Sequence, residues 1–291
     1  MEKIINDCPL VCSKNDTNNS LIEAAVTYIK QSRKERINAI WLEASGCSGN
    51  IISLLNSDKP DVYYLLKEMI NLKFSNSLMT LEGEKAYEKF LETLDTKFVL
   101  IIEGAVSTKD DGKYNIIAKY KGRSITAMEA IQKAGEKAEY IISAGTCASF
   151  GGISAASPNP AMNKSIDEFL NKEVIKVPGC PSHPDWVIGT IAHIILIGKP
   201  ELDSKSRPLI FYGITIHDNC PRRSYFDRGI FAKQLGDKEC MFKLGCRGPV
   251  TKTDCPTRKW NSYVNWPIGN NNTCIGCAQE KFPDGMEPFF R

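Results

Sequence analysis

The chain lacks the features that would assign it at once to a nucleic-acid-binding or membrane class. Its 37 lysines and arginines nearly balance 34 aspartates and glutamates over 291 residues, leaving a formal charge of +3. That near-balance argues against a nucleic-acid-binding protein that relies on a strong basic field. Apolar runs also stay well short of the roughly 18 residues that a membrane helix requires. We therefore expect no nucleic-acid partner and no membrane span in this chain.

An export signal is also lacking at the start of the sequence. Residues 1–20, MEKIINDCPLVCSKNDTNNS, contain no long apolar segment and no twin-arginine pair. The eleven cysteines are many and odd in number, whereas disulfide frameworks are typical of short secreted chains. We therefore expect a cytoplasmic protein with reduced cysteines. Cys8 and Cys12 have no neighbours at ligand-like spacing and are interpreted as ordinary thiols.

Short apolar runs alternate with helical patterns from Ile37 to about residue 200. The predicted strands cover residues 37–43, 97–104, 139–145 and 173–179, and the predicted helices cover 60–72, 84–94, 125–138 and 185–198. This alternation predicts an α/β fold with a doubly wound, mostly parallel sheet. We divide the chain into an extension (1–36) with a short helix near 21–31, a sheet domain (37–200) and a largely irregular domain (201–291).

Three cysteines follow separate predicted strands. Cys47, Cys147 and Cys180 come after the first, third and fourth of them. Loops at the carboxyl ends of parallel strands meet at one edge of a sheet, so these thiols are expected to lie together. Three inert, buried cysteines are the alternative that the residues alone leave open.

The last third of the chain is rich in potential metal ligands and poor in periodic structure. Spacing divides these ligands into a group of four and a group of three: His217, Cys220, Cys240 and Cys246, then Cys255, Cys274 and Cys277. Thiolates are soft ligands that suit iron–sulfur clusters and zinc. Structural zinc usually takes four ligands, and a group of three thiols therefore favours iron–sulfur clusters without excluding zinc.

At this point the sequence closely resembles the small, electron-transferring subunit of nickel–iron hydrogenases. The matching segments run in family order across roughly residues 37–282: GCSG (46–49), EG (103–104), GTCASFGG (145–152), PGCP (178–181), HDNCPR (217–222), LGCRGP (244–249), CP (255–256), NWP (265–267) and CIGC (274–277). Single pieces such as CIGC are weak evidence, whereas the ordered set is highly specific.

The resemblance implies a flavodoxin-like domain followed by a domain that carries iron–sulfur clusters. By position, Cys47, Cys147 and Cys180 correspond to ligands of a proximal cluster. The group containing His217 corresponds to the ligands of a distal 4Fe–4S cluster. The group containing Cys255 corresponds to the ligands of a medial cluster. Pro267 occupies the place of a fourth medial cysteine, which implies a 3Fe–4S cluster there.

Asn50 is the main departure from the family pattern, which is C-x-G-C where this chain reads Cys47-Ser48-Gly49-Asn50. A neutral amide is a harder and weaker ligand for iron than a thiolate. Either Asn50, water or another side chain holds the fourth iron, or the proximal cluster is 3Fe–4S. Loss of one negative ligand is expected to raise the potential of the cluster.

The resemblance implies one half of an enzyme, a hydrogenase whose nickel–iron centre lies on a large partner subunit. The expected assembly is an obligate heterodimer, with pairing of heterodimers left open, that exchanges electrons with an external carrier. No residue of this chain is expected to catalyse the hydrogen chemistry itself. Three alternatives remain: a cytoplasmic hydrogen-sensing hydrogenase, a small subunit of a complex-I-like assembly, and a zinc-stabilised binding module.

Overall fold

A computed structural model describes residues 14–32 and 35–287 of the chain. Cys8 and Cys12 lie outside the described residues. The first described element is helix α1 (Lys14–Ser32), which is longer than the predicted segment 21–31. Ile22, Ala25 and Val26 on this helix are buried at helical spacing. The extension therefore packs onto the body of the protein through one apolar face.

Five parallel strands form the central sheet. They are β1 (Ile37–Glu43), β2 (Ile70–Ser75), β3 (Phe98–Glu103), β7 (Tyr140–Ala144) and β9 (Ile175–Val177), in the spatial order β2-β1-β3-β7-β9. Numbered within the sheet alone this order is 2-1-3-4-5, the flavodoxin-like arrangement, whose chain reversal lies between β1 and β3. Two short antiparallel pairs flank the sheet: β4 (Val106–Ser107) with β8 (Asn163–Lys164), and β5 (Ile116–Tyr120) with β6 (Arg123–Thr126).

Helices connect the strands and continue briefly beyond residue 200. They are α2 (Gly49–Leu55), α3 (Val62–Tyr64, followed by a π-helical turn at Leu65–Met69), α4 (Gly83–Thr93), α5 (Ala127–Lys137), α6 (Thr146–Phe150), α7 (Ile166–Leu170), α8 (Pro184–Leu196), α9 (Leu209–Tyr212), α10 (Arg223–Asp227) and α11 (Cys255–Arg258). Short 3₁₀ segments lie at Lys109–Gly112, Gly152–Ala155, Met241–Leu244, Gly248–Val250, Ile268–Asn270 and Asp284–Met286. None of the described helices is both long and apolar enough to span a bilayer.

The two faces of the sheet bury different apolar sets. Along β3, Val99 and Ile101 point into one core, and Leu100 and Ile102 point into the other. Side chains of a strand alternate between faces, so a strand buried on both faces reads as an unbroken apolar run. The predicted doubly wound sheet is therefore confirmed.

One predicted helix, 60–72, is wrong at its C-terminal end. The helical turns stop at Met69, and Ile70–Ser75 forms the edge strand β2, which pairs with β1. A short apolar run without a turn signal fits a helix and a strand equally well, so only the tertiary pairing decides.

The chain after residue 200 contains only short helices and 3₁₀ segments among its described residues. Phe211, Tyr212, Met241 and Trp266 from this part join the core on the α8 side of the sheet. The irregular part therefore packs directly on the sheet domain. The domain boundary near residue 200 stays a prediction.

Candidate metal centres

The carboxyl ends of the central strands lie in register. Glu43 pairs with Glu103, Glu103 with Ala144, and Ala144 with Val177. The loops that carry Cys47, Cys147 and Cys180 leave from this one edge. The strand-end argument therefore places the three thiols at a common edge of the sheet.

Glycines let these loops approach one another closely. Gly104 has a φ of +87°, and a Cβ there would lie 2.8 Å from the backbone carbon of Ser45. Any side chain at this position would push apart the loops after β1 and β3.

The proximal thiols lie close enough to interact electrically. Burial, together with negative charge on Cys277, Cys147 and Cys47, raises the pKa of Cys180 to about 12. The loops of Cys147 and Cys180 are also hydrogen-bonded, because Thr146 N–H donates to Gly179 O at 2.9 Å. Cys277 thus joins the three proximal cysteines, although the sequence places it in the medial group.

Asn50 is held by hydrogen bonds on both sides of its amide. Its Oδ1 accepts the Ser182 N–H at 2.8 Å, and its Nδ2 donates to Glu103 Oε1 at 3.2 Å. The amide also lies against Gly145, where a Cβ would come within 2.4 Å of Nδ2. Asn50 therefore connects the ends of β3, β7 and β9 through the protein itself.

Glu103 anchors this connection from inside the sheet. It is 2% exposed, and its two carboxylate oxygens accept the backbone N–H groups of Asn50 and Ile51 at 2.8 and 3.0 Å. Burial raises the pKa of Glu103, and these hydrogen bonds oppose the rise. The carboxylate thereby fixes the start of α2, directly after Cys47.

The medial residues line a single cavity of about 490 Å³. Its walls include Cys255, Cys274, Cys277 and Pro267, together with Trp260 and Trp266. Burial raises the pKa of Cys255 to about 12 and that of Cys274 well above its usual value. Cys180 of the proximal group also lines this cavity, so its walls carry four thiols together with Pro267.

The distal residues line a separate, narrow cavity. His217, Cys220, Cys240 and Cys246 all contribute to its walls. Burial raises the pKa values of Cys220 and Cys240, and the negative charge of Cys246 would add to both shifts. The four side chains that spacing grouped together therefore line one cavity.

The donor sets fit multi-iron clusters better than single metal ions. Across residues 14–32 and 35–287, no three His, Cys, Asp or Glu side chains converge on a position for one ion. A zinc ion would need its sulfur ligands about 2.3 Å away. Thiols with raised pKa values stay protonated at neutral pH unless a bound cation stabilises the thiolate. Buried thiols spread around a cavity are what an inorganic cluster requires.

A buried charge network that sequence reasoning missed connects the proximal and medial loops. Arg258, 1% exposed, donates to Asp185 Oδ2 and to Asp254 Oδ2 at 2.8 Å each. Asp254 also accepts the Trp186 Nε1–H at 2.8 Å. Burial raises the pKa of Asp185, and the charge of Arg258 opposes that rise. Only sequence position could have indicated this network. Asp185 follows PGCPSHP, and Asp254 and Arg258 lie on either side of Cys255.

Two histidines outside the ligand groups have structural partners. His183 Nδ1 accepts the Asp185 N–H at 3.1 Å, and its Nε2 lies 2.8 Å from Lys259 O, which makes Nε2 the protonated nitrogen. Burial lowers the pKa of His183 to about 3, so the ring is neutral at physiological pH. The His193 ring contacts Gly198 O at the end of α8. Both rings thus bond to the backbone of this chain.

Comparison with known proteins identifies the family. Residues 212–290 match the C-terminal family of the NiFe/NiFeSe hydrogenase small subunit, and residues 47–194 match NADH ubiquinone oxidoreductase, 20 Kd subunit. The chain is 39% identical over 272 residues to the periplasmic [NiFeSe] hydrogenase small subunit of Desulfomicrobium baculatum, an alignment that covers 86% of each chain. It belongs to the nickel–iron hydrogenase small-subunit family.

Two further comparisons agree with this assignment. The periplasmic [NiFe] hydrogenase small subunit of Solidesulfovibrio fructosivorans is 35% identical over 264 residues, covering 88% of this chain and 82% of the relative. The structure of a reduced, active Ni-Fe-Se hydrogenase from Desulfomicrobium baculatum superimposes with a TM-score of 0.84 at 37% identity, covering 88% and 99% of the two chains. As a hydrogenase small subunit, the chain forms part of a heteromeric enzyme with a large subunit.

The match to the NADH ubiquinone oxidoreductase family stops at residue 194. The hydrogenase family covers the part of the chain that holds the His217 and Cys255 ligand groups. The complex-I-like alternative, which carries only a proximal cluster, therefore does not account for this chain.

The expected cytoplasmic location is wrong, because the relatives from Desulfomicrobium and Solidesulfovibrio are periplasmic subunits. The expectation depended on the absence of a leader in the first residues and on the assumption of reduced cysteines. Cysteines that ligate iron are thiolates in any compartment, so their number does not report location. The alternative of a cytoplasmic hydrogen sensor depended partly on the same absence.

Proposed function

We propose that this subunit relays electrons between the nickel–iron site of the large subunit and an external carrier. Bound iron–sulfur clusters would supply the one-electron chemistry. The protein would hold them in sequence through three ligand groups: the proximal group (Cys47, Cys147, Cys180), the medial group (Cys255, Cys274, Cys277) and the distal group (His217, Cys220, Cys240, Cys246).

Contacts between the proximal loops and the medial ligand Cys277 are the observation that carries this proposal. The backbone N–H of Cys180 lies near the Cys277 thiol and opposes the burial that raises its pKa. The Thr146 hydroxyl, next to Cys147, donates to Cys277 O and accepts the Gly179 N–H at 3.0 Å. The proximal loops therefore contact a medial ligand at both its side chain and its backbone.

A second link joins the medial and distal groups. Arg247 N–H, one residue after Cys246, donates to Cys274 O at 2.7 Å. Negative charge on Cys246 would also raise the pKa of Cys274, since the two thiols are close. The ligand groups thus follow one another as proximal, medial and distal, which is the arrangement that a linear relay requires.

The donor sets support particular cluster types. The three medial thiols and Pro267 suit a 3Fe–4S cluster, with Cys180 on the same cavity wall kept as a ligand of the proximal cluster. One imidazole and three thiols in the distal group suit a 4Fe–4S cluster, with a potential raised by the neutral ligand.

For the proximal cluster we propose three thiolate ligands and no bond from Asn50 to iron. The Asn50 oxygen already accepts the Ser182 N–H, and the amide nitrogen is directed to Glu103. This residue would then hold the strand-end loops together, while iron is bound by Cys47, Cys147 and Cys180.

Changing Asn50 to cysteine is expected to lower the midpoint potential of the proximal cluster. The new thiolate would restore the C-x-G-C pattern and add one negative ligand, which favours the oxidised cluster. EPR-monitored redox titration of the heterodimer measures this potential. The matched control Asn50→Ala removes the amide without adding a thiol and should not show the same fall. Equal potentials in both variants would contradict the assignment.

The proposed function is tested first by the composition of the purified heterodimer. We expect iron and acid-labile sulfide, a broad visible absorption band that bleaches under hydrogen, and hydrogen-dependent reduction of benzyl viologen. A heterodimer that contained zinc in place of iron and had no such band would overturn the proposal.

A further inference from the structure

The exposed surface beside the distal ligands is built around a cluster of aromatic rings. The rings of His217 and Phe226 lie 4.5 Å apart between centroids, and Phe242 lies 5.3 Å from Phe226. Phe231 completes the cluster at 6.0 Å from Phe226. Phe242 is 44% exposed, so this cluster connects a distal ligand with solvent.

Two more apolar side chains are exposed in the same segment. Ile230 and Leu235 are 40% and 48% exposed in the same loop as Phe231, which forms a bridge with the distal ligand Cys240. With Phe242, the loops around the distal ligands thus expose three large apolar side chains.

Positive charge is concentrated in the segment that carries these apolar side chains. Between His217 and Arg247, lysine and arginine outnumber aspartate and glutamate by seven to four, while the rest of the chain contains thirty of each. The whole formal excess of +3 therefore lies in the segment that carries the distal ligands.

Four of these cations are exposed and form no ion pair with a carboxylate of the described residues: Arg228, Lys233, Lys238 and Lys243. Arg228 Nε–H also donates to Ser224 O at 3.0 Å, and its guanidinium lies over the Tyr225 ring. Lys243 lies over the Phe231 ring, 4.7 Å from its centroid. By contrast, Arg223 is paired with Asp218 and Asp227, and Arg222 donates to the carbonyls of Asp237 and Glu239.

Nearby carboxylates offset only part of this positive charge, because four acidic side chains stand against seven basic ones in the segment. The Asp237 carboxylate accepts the backbone N–H groups of Lys233 and Gln234 at 2.9 and 3.1 Å. Asp218 and Asp227 face Arg223. The fourth acidic side chain of the segment, Glu239, is half-buried and forms no ion pair with any described residue.

We infer that this distal-loop surface (Arg228, Ile230, Lys233, Leu235, Lys238, Phe242 and Lys243) docks a small acidic electron-carrier protein. A small apolar centre with a charged rim suits transient redox complexes, which bury little area and rely on charge complementarity for fast association. The inference depends on the proposed function, which makes the distal group the outer end of the relay.

Charge reversal at two rim lysines tests the inference. The variant Lys233→Glu/Lys243→Glu is compared with Lys113→Glu/Lys119→Glu, which makes the same charge change at two exposed lysines in and beside β5. The heterodimer reduces an acidic 4Fe–4S ferredoxin under hydrogen at low and high salt, and saturating benzyl viologen reports turnover without docking.

At low salt the distal variant should raise KM for ferredoxin by about tenfold, the lower end of electrostatic steering effects. High salt should remove most of the difference, while kcat with viologen and the matched control stay unchanged. A neutral variant, Lys233→Gln/Lys243→Gln, should give an intermediate KM.

An unchanged KM in the distal variant, or a wild-type preference for a basic cytochrome over the ferredoxin, would overturn the inference. Failure of the wild-type heterodimer to reduce viologen would instead contradict the relay itself.

Discussion

Replacing Cys277 by alanine is expected to lower hydrogen-driven dye reduction by more than about a hundredfold, since even outer-shell changes at metal sites cost up to that factor. Cys277 lines the medial cavity and its thiol lies near the backbone N–H of Cys180, so one side chain belongs to a ligand group and to the link between two groups. Its loss would leave two thiols for the medial cluster.

The large subunit should keep its own chemistry in this variant. Exchange of hydrogen isotopes between H2 and D2O moves protons but no net electrons, so it needs no relay. We therefore expect the variant to keep isotope exchange close to the wild-type rate and to lose hydrogen-driven dye reduction. Mass spectrometry of the evolved gas measures the first quantity, and stopped-flow absorbance measures the second.

The matched control is Cys12→Ala, since Cys12 is interpreted from its spacing as an ordinary thiol. It makes the same substitution and should leave both activities unchanged. Parallel loss of isotope exchange and dye reduction in Cys277→Ala would show that Cys277 supports assembly of the enzyme and not the passage of electrons.

Replacing Arg258 by methionine is expected to destabilise the link between the proximal and medial loops by about 3–5 kcal/mol, the usual consequence of removing one partner from a buried ion pair. Asp254 is 0% exposed and Asp185 is 4% exposed, so both carboxylates would lose their cation away from water. Hydrogen exchange in the heterodimer measures the effect at the amides of residues 258 and 259, which bond to Asp254 O and Cys255 O at 2.9 Å.

The change should also displace Cys255 and weaken the EPR signal of the medial cluster. The matched control is Arg123→Met, which breaks an exposed pair with Glu129 and should leave the same amides protected. Protection of residues 258 and 259 equal to wild type would contradict the role of Arg258.

The strand-end cysteines could be placed from the sequence because parallel strands impose a simple geometry. A run such as residues 98–102 is apolar throughout, which indicates a central strand, and the ends of such strands lie along one edge. Once the strands are in register, Cys47, Cys147 and Cys180 must approach one another. The edge strand Ile70–Ser75 was not predicted, because its apolar run continues from a helix without a break.

The links between ligand groups could not be predicted in this way. Thr146, Arg247 and Arg258 connect loops that are distant in the sequence. In several cases the bonded residues are more than seventy positions apart, as for Thr146 and Cys277. Irregular backbone has no periodicity from which such contacts follow. The grouping of the downstream ligands stays a prediction, which depends on short spacings, such as that between Cys274 and Cys277, that limit which side chains can converge. For Asn50 the sequence shows a departure from the family's C-x-G-C pattern but not its consequence. Only the hydrogen bonds of the amide in the structure indicate its role.

The three-cluster relay is tested most directly by an EPR-monitored reductive titration of the purified heterodimer. The account predicts three cluster signals with separate midpoint potentials, one of them from a three-iron medial cluster, with magnetic coupling between neighbours in the series. Fewer than three clusters, or a four-iron cluster at the medial group, would contradict it.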